Sequence, residues 1–389
     1  MEFDVTWILI GLPLAFGLGW LASRLDIRQM RIENRRAPKA YFRGLNFLLN
    51  EQQDQAIDAF IEAVQNDPDT SELHFALGNL FRRRGEYERA VRVHEHLLSR
   101  ADLTQRERHR AQHALAMDFL KAGLLDRAEA ALLQLEGTEF QEQARMALLA
   151  NYERSRDWAD AAKIAHKLES SQQGSFSFRL AHYLCEQAEA SSSQGKGDAA
   201  QALLQEAITI APQAPRPRIE LARLRGQEGH HAQAFSILSE AMDAAPQAIP
   251  LFADLLANQA IAAGQMGLAK TRLAASYDLS PSLDVLEAMV KVDQAMLAGS
   301  DLAGAAARDW YVRHLEREPS LVAAAKWIAG EKLEHEQFHP LVQRALDQAV
   351  KPLTRYRCAA CGFEAKQHFW QCPGCQAWDS YPARRVEEL

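Results

Sequence analysis

From residue 37 to Val350 the chain places apolar residues at every third or fourth position, the spacing of amphipathic helices. No stretch there shows the strict alternation of a half-buried strand. The pattern fails at both ends. Val5 to Ala22, VTWILIGLPLAFGLGWLA, contains no charged residue. A helix of that length is about 27 Å long, enough to cross the hydrocarbon core of a bilayer. Trp7 and Trp20 bracket it as interfacial aromatics do. Glu2 and Asp4 stand where a cleavable signal peptide carries basic residues, and no Ala-x-Ala site follows, so a retained anchor is expected. Arg24, Arg28, Arg31, Arg35, Arg36 and Lys39 come next, which by the positive-inside rule puts the rest of the chain in the cytoplasm. Gly11, Ala15 and Gly19 share one stripe of the span, a candidate contact for a second membrane helix.

The middle repeats itself at a shift of 34. Gly44, Phe47 and Ala56 recur as Gly78, Phe81 and Ala90, and Ala200, Ala207 and Pro212 recur as Ala234, Ala241 and Pro246. Small residues where two antiparallel helices touch, with a proline ending the second, resemble the tetratricopeptide repeat. Gly85, Gly123, Gly195, Gly229 and Gly264 fall in the turns between paired helices, where a left-handed residue is needed. Repeats are expected to begin near residues 37, 71, 109, 142, 181, 215, 250 and 288, with Trp158 and Trp310 as bulky substitutes in the fourth and eighth. A stack of such pairs presents a groove lined by first helices. Asn79, Arg82, Arg110, His113 and Arg223 are the polar candidates there for partner binding. Arg82 to Arg84, in FRRRG, read as a solvated turn.

Charge and cysteines narrow the function. The net charge is −7: residues 1–39 carry six Lys/Arg against four Asp/Glu, and the rest carry 38 against 47. An acidic body argues against nucleic acid as a partner, because phosphate contacts need clustered cations. Five cysteines, four of them in Cys-x-x-Cys pairs, do not form a secreted disulfide framework, so a reducing compartment is expected. His335 to His339, HEQFH, matches the His-Glu-x-x-His pattern of zinc proteases. Pro340 biases His339 away from helical geometry, and the segment is placed at the stop of a repeat helix, so no catalytic metal is expected. Cys185 reads as a buried small residue rather than a nucleophile. No phosphate loop or nucleophile elbow appears, and the chain is expected not to be an enzyme.

Cys358, Cys361, Cys372 and Cys375 form two Cys-x-x-Cys pairs that can converge on one tetrahedral ion, iron or zinc. Gly362 and Pro373-Gly374 suit tight knuckle turns, and Tyr356, Phe363, Phe369, Trp370, Trp378 and Tyr381 crowd around them. A module this small needs the ion for much of its folding energy. Its turns resemble rubredoxin. Rubredoxin loops are longer and its second pair is followed by Gly where this chain has Gln376, which argues against electron transfer.

The expected fold is therefore all-α. A transmembrane anchor (1–22) and a basic juxtamembrane linker (23–36) lead into a tetratricopeptide-repeat superhelix (37–350, about eight helix pairs). A rubredoxin-like or zinc-ribbon domain with a four-cysteine metal site (351–389) follows, able to cap or clamp the stack. The anchor, LHFALGNLFRRRGEYERAVRVHE, LKAGLLDRAE, AHYLCEQA and LTRYRCAACGFEAKQHFWQCPGCQAW, in that order, resemble the lipopolysaccharide assembly protein B family over essentially the whole chain. That resemblance implies a cytoplasm-facing inner-membrane adaptor restraining lipopolysaccharide synthesis. Its implied partners are a membrane-anchored ATP-dependent protease, the committed-step deacetylase of lipid A synthesis, and other lipopolysaccharide assembly proteins. The rivals are a membrane-tethered electron carrier and a general assembly scaffold.

Overall fold

The computed structural model describes residues 16–18, 20, 40, 42–66, 70–170, 175–298, 302–331 and 336–389. Gly11, Ala15, Gly19 and the arginine-rich flank lie outside them, as does most of the expected anchor. Phe16, Leu18 and Trp20 are helical and exposed. Among the described residues no helix is long and apolar enough to cross a membrane. The chain divides into two compact units, Met1–Asp157 and Trp158–Leu389.

The first unit contains α1 (42–49), α2 (Gln53–Asn66), α3 (Ser71–Arg84), α4 (Tyr87–Ser99), α5 (Gln105–Ala122), α6 (Leu125–Leu133) and α7 (Gln141–Ser155). Helices pair through small residues: Ala56, Ala90 and Ala128 are fully buried, which lets the backbones close on one another. The turn after α3 shows why glycine was expected there. Gly85 adopts φ +85°, its N–H bonds to Arg82 O, and Glu86 N–H bonds to Phe81 O, which satisfies carbonyls that the helix leaves open. After α7 the same left-handed position is held by Arg156, at φ 59°, in the degenerate fourth repeat. Helix α5 starts with a capping box: Glu107 N–H donates to Thr104 Oγ1 and Thr104 N–H to Glu107 Oε2.

Gly78 marks a close approach. A Cβ there would stand 2.5 Å from the ring of His94. That ring cannot retreat, because its Nδ1 lies 2.5 Å from Asp118 Oδ2, and both side chains are fully buried. Asp118 also receives Arg82 Nη1 at 2.8 Å.

The second unit runs α8 (Trp158–Ser170), α9 (Ser177–Ser193), α10 (Gly197–Ile210), α11 (Pro215–Gln227), α12 (His231–Ala244), a 3-10 turn (Pro246–Leu251), α13 (Ala253–Ala262), α14 (Met266–Leu279), α15 (Leu283–Met296), α16 (Leu302–Arg317), α17 (Leu321–Ala329), a second 3-10 turn (Glu336–Phe338) and α18 (His339–Val350). Two short antiparallel strands follow, β1 (Tyr356–Arg357) and β2 (Glu364–Ala365), with Tyr356 opposite Ala365. Its largest core joins α11 to α17 through residues such as Leu238, Phe252, Leu256, Leu273 and Leu286.

Three expectations change. The seventh pair opens with the 3-10 turn rather than a full first helix, because Pro246 starts it and Pro250 lies within it. The array continues one period beyond the eighth expected start, as α17 and α18. HEQFH is not at a helix stop: Glu336–Phe338 form a 3-10 turn and His339 opens α18, where Pro340 is accommodated because a first-turn residue needs no N–H partner. His335 lies outside the described residues.

Gly78→Ala should lower the stability of the first unit by about 1–3 kcal/mol, the cost of overpacking against a pinned ring. Gly267→Ala, where an added Cβ meets nothing within 4 Å, should be neutral or slightly stabilising. Urea unfolding of both variants checks the contrast; equal effects would contradict the packing described.

Candidate metal centre

Each cysteine pair sits on a hairpin-like knuckle, and the two are built alike. In the first, Cys358 N–H donates to Phe363 O at 2.9 Å and Gly362 N–H to Cys358 O at 2.9 Å. In the second, Cys372 N–H donates to Ala377 O at 2.9 Å and Gln376 N–H to Cys372 O at 2.8 Å. The residue after each pair is left-handed: Gly362 at φ 77° and Gln376 at φ 62°. The position where rubredoxin has glycine therefore keeps the glycine conformation with a side chain present.

The four Sγ atoms lie within 4.8 Å of one another. Cys358 and Cys375 are 3.8 Å apart, and Cys361 and Cys372 are 3.7 Å apart. A tetrahedron with metal–sulfur bonds of about 2.3 Å has edges of about 3.8 Å, so the donor set fits a tetrathiolate ion. An all-sulfur set accepts zinc or iron. Cys358 and Cys372 are buried, while Cys361 and Cys375 face solvent.

The surroundings shift two of the thiols toward ionisation and one away from it. The Ser380 hydroxyl, 3.3 Å from Cys358 Sγ, together with the backbone N–H groups of Cys361 and Ala360, brings the Cys358 thiol down to about 6 against the burial that opposes it. At Cys372 burial works against ionisation, yet the N–H groups of Cys375 and Gly374 outweigh it and the thiol is lowered. At Cys361 the Phe363 N–H favours the thiolate, but burial and the three neighbouring thiols push it up to about 12. Four negative sulfurs cannot share this space without a cation. An ion bound here would supply that charge and lock the two knuckles together.

The module is seated on the first helices of the second unit. His182, on α9, stacks on Trp378 with ring centroids 4.7 Å apart, and its Nε2–H donates to Asp379 at 2.9 Å. The Arg216 guanidinium lies 3.5 Å from His182 Nδ1, which sets that nitrogen as the acceptor. Arg216, on α11, is itself held by Glu186 and Glu220. Trp378 meets Tyr183 and Trp158 edge-on. Leu251 packs against the cluster of Tyr356, Cys358, Cys372 and Tyr381. Arg385 makes a two-pronged ion pair with Asp284, on α15, at 2.7 and 2.9 Å. The knuckle therefore clamps several successive pairs from the side rather than covering the end of the stack.

The aromatics of the knuckle were singled out in sequence, but the pairing that seats it was not, because His182 and Asp379 are 197 positions apart. The expected partner-binding residues fall in two places. Asn79, Arg82, Arg110 and His113 come together on α3 and α5 of the first unit. Arg82 donates to Asn79, Asp118 and the Ala114 carbonyl. Arg110 pairs with Glu72 over the Phe75 ring, and His113 stacks on Phe140. Burial, then the Arg82 charge, lowers the His113 pKa. Arg223 is in the second unit, exposed beside Glu189 and Gln227 in a recess of about 310 Å³. Cys185 is fully buried, and burial holds its thiol well above the ordinary range, as expected for an inert core residue.

Cys358→Ser combined with Cys372→Ser should abolish the one equivalent of iron or zinc that elemental analysis is expected to find; full retention would contradict the ligand set. Because each ligand must shed its proton, zinc affinity should be highest at neutral pH and above and fall as the pH drops. Gln376→Gly should keep the metal and stabilise the module by about 1 kcal/mol, since it removes a left-handed side chain.

Residues 356–381 match the rubredoxin metal binding domain family, and residues 73–108 and 192–259 match tetratricopeptide repeat families. Among solved structures, a tetratricopeptide repeat protein from Parabacteroides merdae is similar at 15% identity and TM-score 0.34, covering 66% of this chain and 99% of its own, a likeness too slight to build on. Lipopolysaccharide assembly protein B of Haemophilus influenzae is 27% identical, over 95% of this chain and 96% of its own length. That of Escherichia coli (strain K12) is 30% identical over 386 residues, 97% of this chain and 98% of its own length. With repeats, knuckle and near-complete coverage in agreement, the chain belongs to the lipopolysaccharide assembly protein B family.

Proposed function

We propose that this protein is a non-enzymatic adaptor of lipopolysaccharide assembly, tethered to the inner membrane by residues 1–22 with its body in the cytoplasm. In this reading it presents the committed-step deacetylase of lipid A synthesis to a membrane-anchored ATP-dependent protease and so restrains synthesis. The observation that carries the reading is the match, over 386 residues, to relatives named for lipopolysaccharide assembly. The architecture supports it. Repeat arrays expose first-helix faces suited to protein partners. Among the described residues, the four cysteines are the side chains grouped to hold a metal, and two of them are buried.

The anchor's part is proximity. A span that confines the body to the same layer as a membrane protease raises their effective concentration without any new contact, so weak affinities suffice. Gly11, Ala15 and Gly19 would add direct helix contact.

Removal of residues 1–22 should leave the metal content and thermal stability of the body nearly unchanged, yet raise deacetylase abundance and lipopolysaccharide synthesis in cells. Quantitative immunoblotting at native expression reads this. Rescue by an unrelated span would assign the effect to tethering, and failure of that rescue to the small-residue stripe. If the anchorless protein controls deacetylase turnover as well as the intact one, proximity is not how it works. If cells lacking the protein altogether show normal turnover, the adaptor reading fails.

A further inference from the structure

Residues 384–388 leave the metal module and cross the first turns of two repeat helices. At α17, Ser320 caps Ala323 N–H with its hydroxyl oxygen, but the third helical position is Ala323, so no local carboxylate completes the cap. Glu387 takes that place from 66 positions away. Its carboxylate accepts Leu321 N–H at 2.5 Å, Val322 N–H at 3.1 Å and the Ser320 hydroxyl at 2.8 Å. At α15 the side chain of Ser282 makes no capping bond, and its Oγ is buried without a partner. Glu388 accepts Leu283 N–H there, at 2.7 Å. Two neighbouring glutamates thus satisfy the open N-termini of two first helices, one pair apart.

The other side of this strap is bound to the knuckle. Val386 N–H donates to Arg355 O at 2.7 Å and Glu387 N–H to Leu353 O at 3.1 Å. Arg385 donates to Thr354 O at 2.8 Å, and its guanidinium lies over the Tyr356 ring, 4.2 Å from the centroid. Tyr356 is on β1, two residues before Cys358, and is buried in one cluster with Cys358 and Cys372. A continuous set of contacts therefore joins the sulfur site to the amides of Leu283, Leu321 and Val322.

We propose that this strap is a metal-dependent latch: an ion on the four cysteines orders residues 384–388 against the knuckle, and Glu387 and Glu388 then cap α17 and α15, so that loss of the ion loosens the starts of both helices. The inference rests on the metal reading of the site and is independent of the adaptor role. Short modules of this size hold their shape through the metal, so stripping it removes the support on which the strap lies. Capping carboxylates matter most at the first-turn amides they receive, which makes those amides the reporters.

The test is hydrogen exchange on the full chain in detergent, loaded with one equivalent of zinc and then stripped with a thiol-binding mercurial and a chelator. Zinc removal should speed exchange in peptides covering 281–290 and 319–328 by roughly five- to tenfold, the loss expected for a removed cap, and leave α3 and α5 unchanged. The Glu387→Ala, Glu388→Ala double variant should retain its equivalent of zinc, show that faster exchange while loaded, and change little more on stripping. Glu387→Gln, whose amide oxygen still accepts N–H bonds, should keep most of the protection at α17. The proposal is overturned if stripping leaves both peptides protected, or if the loaded double variant exchanges like the unaltered protein. It is also overturned if stripping loosens α15 and α17 equally in the unaltered protein and in the double variant, since the effect would then not pass through the strap.

Discussion

Convergence of four sulfurs on one point is the constraint from which the rest of the second unit follows. Each knuckle alone is a short turn with two internal hydrogen bonds. Joined, they fix the positions of Trp370, Trp378, Asp379 and Tyr356, and these residues reach the array. The contacts are chemically varied: aromatic stacking at His182, an arginine–carboxylate fork at Asp284, apolar packing at Leu251 and carboxylate caps at α15 and α17. Such a mixture fixes orientation more tightly than area alone, because stacking and bidentate pairing tolerate little rotation.

The helix pairs impose a complementary demand. Each pair exposes an apolar face that its neighbour must cover, and the contact distance is set by fully buried alanines such as Ala56, Ala90, Ala200 and Ala234. Where tryptophan replaces a small residue the pairing changes use. Trp158 stands at the start of the second unit and turns its ring to Tyr183 and Trp378, and Trp310 donates to buried Asp293. The bulky substitutions that weaken the repeat pattern in sequence therefore serve particular local contacts.

Local signals were legible and distant ones were not. The 34-residue period located Ser71 and Pro215 as helix starts, and the turn glycines took the left-handed conformation their position required. The cysteine spacing identified the donor set, since ligands within one short segment leave a local record. The charged and polar seating residues left none. His182 looks like any polar residue of a repeat helix, Asp284 like a first-turn acid, and Glu387 and Glu388 like a solvated charge pair. Their roles exist only through partners about 65 to 200 positions away, and no periodicity encodes such a pairing. Two misplacements had local causes: Pro246 and Pro250 reshaped the seventh start, and Pro340, expected to bias His339 away from helical geometry, is accommodated in the first turn of α18, which His339 opens.

The central claim, that the ion braces the unit on which the knuckle sits, is tested most directly by thermal unfolding of the full chain over a range of free zinc. Five of the seven tryptophans (Trp158, Trp310, Trp327, Trp370 and Trp378) lie in the second unit, so their fluorescence follows that unit while circular dichroism follows all helices. Binding to the folded state alone should raise the fluorescence midpoint steadily with zinc concentration and leave a second, zinc-independent transition in the dichroism. A fluorescence midpoint that stays fixed while zinc binds stoichiometrically would contradict the account.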